Sequence, residues 1–290
     1  MPYKFYLSDA SNYLLFTTVR IEVEGDDSAG IGTGFFFDCR EPGERTSSIL
    51  LVTNKHVVEG AARATIHLHR AKRGSDGKGQ FVVNIGPPVS VSIPDVPAIF
   101  VGHSDPSVDV CAAPWSAFEK YVNDLSIFYE CVHSSWIVSD ETLSRMRSTH
   151  PIQMVGYPYG LTDEYNNFPL IRHGFTSLQP SIDFEGRQET VIDIATYAGS
   201  SGSPVFVLDN AYFGSVPCFL AILYAGPIVG PTGRIVRRPI PLHMSEGGSG
   251  HDTLHFGYAI KSAALLELAR QITGRTVYPR EHYLNRRPGG

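Results

Sequence analysis

The chain has 290 residues, 42% of them hydrophobic and 18% charged, a balance that predicts a sizeable packed core and excludes wholesale disorder. Its formal net charge of −5 offers no basic excess to displace counterions from a polyanion, which argues against general nucleic-acid or anionic-membrane binding. No apolar run approaches the roughly 20 residues of a membrane span.

The chain begins MPYKFYLSDASNYLLFTTVRI. It lacks the basic start, apolar stretch and small-residue cleavage site of a signal peptide. Strand-like runs follow in order: YLLFTTVRIEV, GIGTGFFFDC, SSILLVTNKHVV, RATIHLHR and GQFVVNIG. They are short, rich in Val, Ile, Phe and Thr, and punctuated by Gly, Pro, Asn or Asp. The aromatics at 35–37 read as core. RAKRGSDGKGQ reads as a polar, glycine-rich loop. A mixed segment, 114–149, holds two helical candidates, PWSAFEKYVNDLSIFYECV and SDETLSRMR. The second has a weak cap, because Thr142 stands where a capping box wants Glu after Ser139. Strand-like runs then resume with PIQMVGYP, IRHGFTSL, TVIDIATY, SPVFVLDN and CFLAILYAG, and SEGGSGHD reads as another loop. KSAALLELARQITG has helical spacing of Ala and Leu, with Gly274 as C-cap. The tail YPREHYLNRRPGG reads as mobile and solvated.

This order predicts an all-β protein of antiparallel barrels or a sandwich. It divides into a β-unit at 1–113, a linker with a helical insert at 114–149, a second β-unit at 150–262, and a helix with tail at 263–290. The cysteines Cys39, Cys111, Cys131 and Cys218 are far apart, with no CxxC pair. They read as buried, unbridged thiols of a reducing compartment. With the absent signal peptide, they predict a cytoplasmic protein.

GSSGSP at 199–204 raises the question of function. It interrupts two apolar runs with a tight turn. Gly and Ser are ordinary turn residues, so a plain hairpin is one reading. The other is a serine held out to do chemistry. Nucleophilic hydrolysis by serine needs a base for the hydroxyl, a carboxylate to orient the base, and backbone N–H donors for the developing oxyanion. The glycines of GSSGSP allow two N–H groups to converge. LLVTNKHVVEGA offers His56 as base, after a buried-looking run. DPSVDVCAAP offers Asp109, flanked by apolar residues. Asp105 is a rival, but it precedes Pro106, where a turn is favoured over a buried strand.

These motifs resemble those of trypsin-like, chymotrypsin-fold serine peptidases, closest to the bacterial stand-alone and HtrA-like branch. GTGFFF resembles the small-residue strand ahead of the histidine motif LLVTNKHVV. SVDVCAAP resembles the Asp motif. MVGYPYG with RHGFTS resembles the glycine-rich pair opening the second barrel. GSSGSP resembles the nucleophile motif, and HFGYAIKSAALLELA the final strand and helix. The likeness spans roughly residues 15 to 270, and His56, Asp109 and Ser201 follow the chymotrypsin order.

The resemblance implies two antiparallel six-stranded barrels with the active site between them and a C-terminal helix. It implies Ser201 as nucleophile, His56 as general base and acid, Asp109 as the carboxylate fixing the imidazole, and the N–H groups of Gly199 and Ser201 as oxyanion hole. Ser200 stands where secreted zymogens carry an Asp for a freed N-terminus, so activation by N-terminal cleavage is not implied. Val57 replaces the cysteine that often bridges beside the histidine. No sequence after about residue 275 suffices for a PDZ domain. The residue six before the nucleophile lines the pocket base. Here that is Ala195, next to Thr196, with Tyr224 and Gly226 of AILYAG on the opposite wall. No carboxylate stands there to pair with Arg or Lys.

The reading is therefore a serine endopeptidase acting on protein or peptide substrates, without cofactor or metal. A narrower form is a dedicated intracellular protease of a bacterial defence or stress system. The alternative is a catalytically silent scaffold that binds a partner. His67 and His69 share a strand face but have no visible third metal ligand, and His251 and His255, spaced i, i+4, lie in a glycine-rich loop, so neither pair reads as a metal site. His173 reads as a surface strand residue.

Overall fold

The computed structural model describes residues 3–25, 29–40, 48–122, 126–214, 216–229, 234–242 and 255–284. Its strands fall into two sheets. The first contains β1 (Lys4–Tyr6), β2 (Thr18–Glu24), β3 (Ala29–Asp38), β4 (Ile49–Thr53), β5 (Arg63–Asp76), β6 (Gly79–Pro94), β7 (Val101–Gly102), β8 (Cys111–Pro114), β9 (Ile127–Phe128) and β10 (Val132–His133). Their order is β1-β6-β5-β2-β3-β4-β8-β7, with β9 on β5 and β10 parallel to β3. The second contains β11 (Pro151–Gly156), β12 (Leu170–Thr176), β13 (Glu189–Asp193), β14 (Pro204–Val207), β15 (Cys218–Val229), β16 (Ile235–Pro239) and β17 (Phe256–Lys261). It runs β14-β11-β12-β13-β17-β15, and β14 also pairs with β15. That pairing closes a six-stranded barrel and removes its edges. Among the described residues the first sheet curls without a pairing that joins its two ends.

The architecture is all-β, two β-units with a C-terminal helix. Alternation along β3 holds the units together. Phe36 points into the core of the first unit with Ile21, Leu51 and Trp115. Phe35 and Phe37 point the other way, into a core shared with Phe206 and Phe219 of the second unit. Phe35 meets Phe219 edge-on, with ring centroids 5.4 Å apart. The period-2 pleat of one strand thus serves two cores. The helix Ala263–Thr273 ends at Gly274 with φ 69°. It buries Ala264, Leu265, Leu268 and Ala269 in the same shared core.

Two stretches differ from the sequence reading. RAKRGSDGKGQ is mostly strand: β5 continues to Asp76 and β6 starts at Gly79. Its polar residues sit on a projecting hairpin whose pairing, Lys72↔Val83 and Arg73↔Val82, is satisfied by the partner strand rather than by burial. IVRRP, unremarked in the sequence, forms β16 against β15. SDETLSRMR does form a short helix, Asp140–Leu143, and the Ser139 side chain accepts from Thr142 N. Strands β9 and β10, within 114–149, belong to the first sheet. SEGGSGHD, with His251, and the last six residues lie outside the described residues.

All four cysteines are buried and unbridged. Burial pushes the thiol pKa values of Cys111 and Cys131 well above the ordinary range. Among the described residues no helix is long and apolar enough to cross a membrane.

Candidate active site

His56 lies one turn beyond β4. Thr53 ends that strand, Asn54 remains extended, and the short helix Lys55–Val58 follows. Val57 anchors this turn by packing onto Gly32 of β3, where a Cβ would lie 2.5 Å from Val57 Cγ1. Asp109 precedes β8. Its backbone carbonyl accepts from Asn54 Nδ2 at 2.6 Å, a contact no motif announced. Its carboxylate grips His56 twice. Oδ1 accepts from the His56 backbone N at 3.1 Å, and Oδ2 meets Nδ1 at 2.5 Å. With Nδ1 donating to the carboxylate, Nε2 is left as an acceptor. Ser201 Oγ lies 2.8 Å from it. The three side chains singled out in the sequence thus form one hydrogen-bonded chain.

Asp105 lies apart from this chain. Its Oδ1 accepts from Ser107 N at 2.8 Å and Ser107 Oγ at 2.7 Å. These bonds, the Ser107 hydroxyl first, hold the exposed carboxyl below its ordinary pKa.

The loop that carries Ser201 turns on two glycines, Gly199 with φ 83° and Gly202 with φ 86°. At Gly202 a Cβ would lie 1.9 Å from the Thr33 carbonyl oxygen. The carbonyl of Ala198 accepts from Tyr159 N, and that of Ser200 accepts from Ser203 N at 3.1 Å. In a trans peptide the N–H points opposite to the C=O. The N–H groups of Gly199 and Ser201 therefore turn away from those partners, and neither has a hydrogen-bond partner among the described residues. Two free donors beside a serine hydroxyl are what an oxyanion requires.

Two further residues at this loop escaped the sequence reading. Thr33 of β3 donates its hydroxyl to Gly199 O at 2.9 Å, and its N–H to Ser201 O at 2.8 Å. Arg172 of β12 donates to Ala195 O and, at 2.8 Å, to Ser200 Oγ. Burial lowers the guanidinium pKa to about 10, so it remains a cation at neutral pH. It faces Tyr197, 5.7 Å from the ring centroid. The RH of RHGF was visible in the sequence, but nothing in its spacing tied Arg172 to Ser200.

Of the residues read as pocket wall, Thr196 faces Gly226, with Oγ1 3.1 Å from where a Gly226 Cβ would be. Ala195 is held by Arg172 through its carbonyl. Tyr224 buries its ring and donates its hydroxyl to Glu189 Oε1 at 2.8 Å. Burial, then that bond, raises its pKa far above the ordinary value. Asp183 is paired with Lys261 at 2.6 Å. His173 is an exposed residue of β12. His67 bonds Ser90 at 3.0 Å, and His69 is buried among Phe16 and Phe168. Among the described residues no group of three or more His, Cys, Asp or Glu side chains is placed to hold a metal.

No family model and no curated protein matches the chain. Solved structures do. HL collagenase aligns with a TM-score of 0.52 at 13% identity, over 94% of this chain and 98% of that one. The Rv3671c protease from M. tuberculosis, in its active form, aligns at 0.48 and 16%, over 98% and 87%. The HtrA-type protease AlgW with tripeptide aligns at 0.49 and 15%, over 91% and 62%. The chain spans less than two-thirds of the HtrA-type structures it aligns with, 64% and 62% of the two AlgW chains. At these identities the likeness is one of fold, carried by HL collagenase.

Gly202 supplies the test of the loop geometry. Gly202→Ala brings a Cβ against the Thr33 backbone in a conformation unfavourable for L-residues. Its destabilisation in urea should exceed about 1 kcal/mol. Unchanged stability would mean that the loop does not make this close approach.

Proposed function

We propose that the chain is a serine endopeptidase of the trypsin-like type, acting on protein or peptide substrates through an acyl-enzyme. The observation that carries the proposal is the unbroken chain from Asp109 Oδ2 to His56 to Ser201 Oγ, with contacts of 2.5 and 2.8 Å. A second feature supports it: the free N–H groups of Gly199 and Ser201 lie in the same loop as the nucleophile.

In the proposed reaction Ser201 Oγ adds to the substrate carbonyl carbon while His56 Nε2 takes the hydroxyl proton. The N–H groups of Gly199 and Ser201 stabilise the oxyanion. His56 then passes the proton to the leaving nitrogen as the C–N bond breaks. Water repeats the sequence on the ester, releasing the new carboxylic acid and restoring Ser201. Asp109 holds the imidazole tautomer and stabilises the imidazolium. Arg172 acts as a positioning residue, holding the loop at Ala195 and Ser200.

The pocket reading follows from the same residues. Ala195 offers no negative charge, and the nearby Arg172 cation adds a positive one. A substrate Arg or Lys buried there would lack a counter-charge, which costs several kcal/mol. An apolar side chain gains about 25 cal/mol per Å² of apolar surface buried. We therefore propose cleavage after Ala, Val, Leu or similar residues.

Labelling with a fluorophosphonate tests the nucleophile, since the reagent needs both the hydroxyl and its base. Ser201 should be the labelled residue, and Ser201→Ala should lower kcat by about 10⁶. Label on another serine, or activity persisting in Ser201→Ala, would refute the assignment. Asp109→Asn should lower kcat by about 10⁴ through the wrong imidazole tautomer, while Asp105→Asn leaves it unchanged. The opposite ranking would move the role to Asp105. A peptide-library profile dominated by cleavage after Arg or Lys would mean the pocket has been misassigned.

A further inference from the structure

Building on the peptidase reading, we propose that Pro239–Leu242 is a built-in substrate mimic. It lies in the peptide groove with the Ile240 carbonyl presented to Ser201, and a substrate enters by displacing it.

Ser201 has no exposed surface, although a nucleophile must be reached. Ile240 O lies 3.4 Å from Ser201 Oγ. The Ile240 carbonyl oxygen is thus a direct neighbour of the Ser201 hydroxyl, and the segment that carries it stands where a substrate would have to come. The neighbouring backbone bonds run to both sides of the cleft. Ile240 N donates to Tyr224 O of β15 at 3.1 Å, and Leu242 O accepts from Ile31 N of β3 at 2.9 Å. Three residues thus bridge the second barrel, the nucleophile and the first sheet.

The chain leading in has the form of a bound peptide. β16 pairs antiparallel with β15 from Val229↔Ile235 to Ala225↔Pro239. Peptides recognised in extended form add as a strand to a sheet edge in this way. This edge of β15 reaches Ser201 in continuous register and is already filled from within the chain.

Both ends are anchored. Arg237 pairs with Glu189 at 3.0 Å and Glu185 at 2.9 Å. It also lies 4.5 Å from the centroid of the Tyr258 ring. At the other end Leu242 packs on Gly30 so closely that a Cβ there would be 2.4 Å from Leu242 Cβ. The segment is therefore seated at two independent points, one in each β-unit.

The mimic carries information about the substrate. Ile240 is buried in the apolar cluster that includes Ile194 and Leu223. The residue before the scissile bond is accordingly a branched aliphatic one, in an extended or unfolded peptide. The next residue, Pro241, protects the mimic. Its nitrogen carries a ring carbon in place of hydrogen, which crowds the route by which His56 must protonate the leaving nitrogen.

An occupant of this kind reduces the apparent affinity for substrate by the fraction of time the groove is open. Loosening it lowers KM and leaves kcat nearly unchanged. The test uses the full chain with Arg237→Ala and, separately, Leu242→Gly, which release opposite ends. Arg237→Ala leaves Glu189 without its cation. Should that variant fail to fold, Leu242→Gly carries the test.

The first readout needs no catalysis. A fluorescein-labelled peptide of sequence RRPIPL is titrated by anisotropy into Ser201→Ala and into Ser201→Ala carrying either substitution. We expect binding about ten-fold tighter once an anchor is removed. Equal binding to all three chains, or to none, overturns the mimic. The second readout restores Ser201 and follows cleavage of a quenched peptide with Ile before the scissile bond. KM should fall about ten-fold with kcat within about two-fold. A wild-type KM already matched by both variants overturns the mimic and leaves the peptidase reading standing. Tighter RRPIPL binding with neither cleavage nor fluorophosphonate labelling in any chain supports the mimic and overturns the peptidase reading.

Discussion

One buried threonine ties the molecule together. Thr33 sits on β3, in the first sheet, yet its hydrogen bonds reach the Ser201 loop of the second unit. Its hydroxyl donates to Gly199 O and accepts from Tyr157 N at 3.1 Å. Its N–H donates to Ser201 O, and its carbonyl accepts from Thr53 Oγ1 at 2.8 Å. Each such bond contributes only about 1 kcal/mol net, but a buried partner left unpaired costs up to about 3. The positions of β4, of the Tyr157 turn and of the Ser201 loop are thus coupled through one side chain and its peptide group. His56 follows β4 and Ser201 follows the loop, so the same residue sets the gap that the imidazole must span.

That gap lies between two cores that β3 also shares. Phe36 belongs to one, and Phe35 and Phe37 to the other. The faces of the cleft cannot slide freely, because interiors packed at crystal-like density resist displacement. Precision at the site is therefore inherited from packing some distance away. All four cysteines are buried and unbridged, so no disulfide contributes to that packing.

Two groups of buried or half-buried charge bear on the site. Arg172 braces the Ser201 loop through Ser200 and the Ala195 carbonyl. Glu189, Tyr224 and Arg237 form a buried cluster on the other side of β15. Desolvating such groups is expensive unless their hydrogen bonds are well made. In the first group the return is a fixed loop. In the second it is a fixed register for β16, the strand that leads across Ser201. One cluster holds the Ser201 loop, the other the strand that leads to Ile240.

Much of this was written in local sequence. Short β-branched and aromatic runs, punctuated by turn residues, determined that the chain is all-β. Ala and Leu spacing with Gly274 determined the last helix. His56, Asp109 and Ser201 were legible because each sits beside a strand whose composition is plain, and because the glycines of GSSGSP admit backbone conformations that other residues resist. What the sequence left open depends on residues brought together from distant places. Asp105 and Asp109 were both candidates until the fold brought Asp109 against His56. Arg172 and Ser200 lie 28 residues apart, and nothing local says that β12 passes under the loop. RAKRGSDGKGQ reads as loop because its polarity hides a hairpin whose backbone is satisfied by pairing rather than by burial. The course of Ile240 over Ser201 follows from which edge of β15 is open and from where Arg237 and Leu242 find partners. Such contacts carry no periodicity along the chain, so only the tertiary structure could decide them.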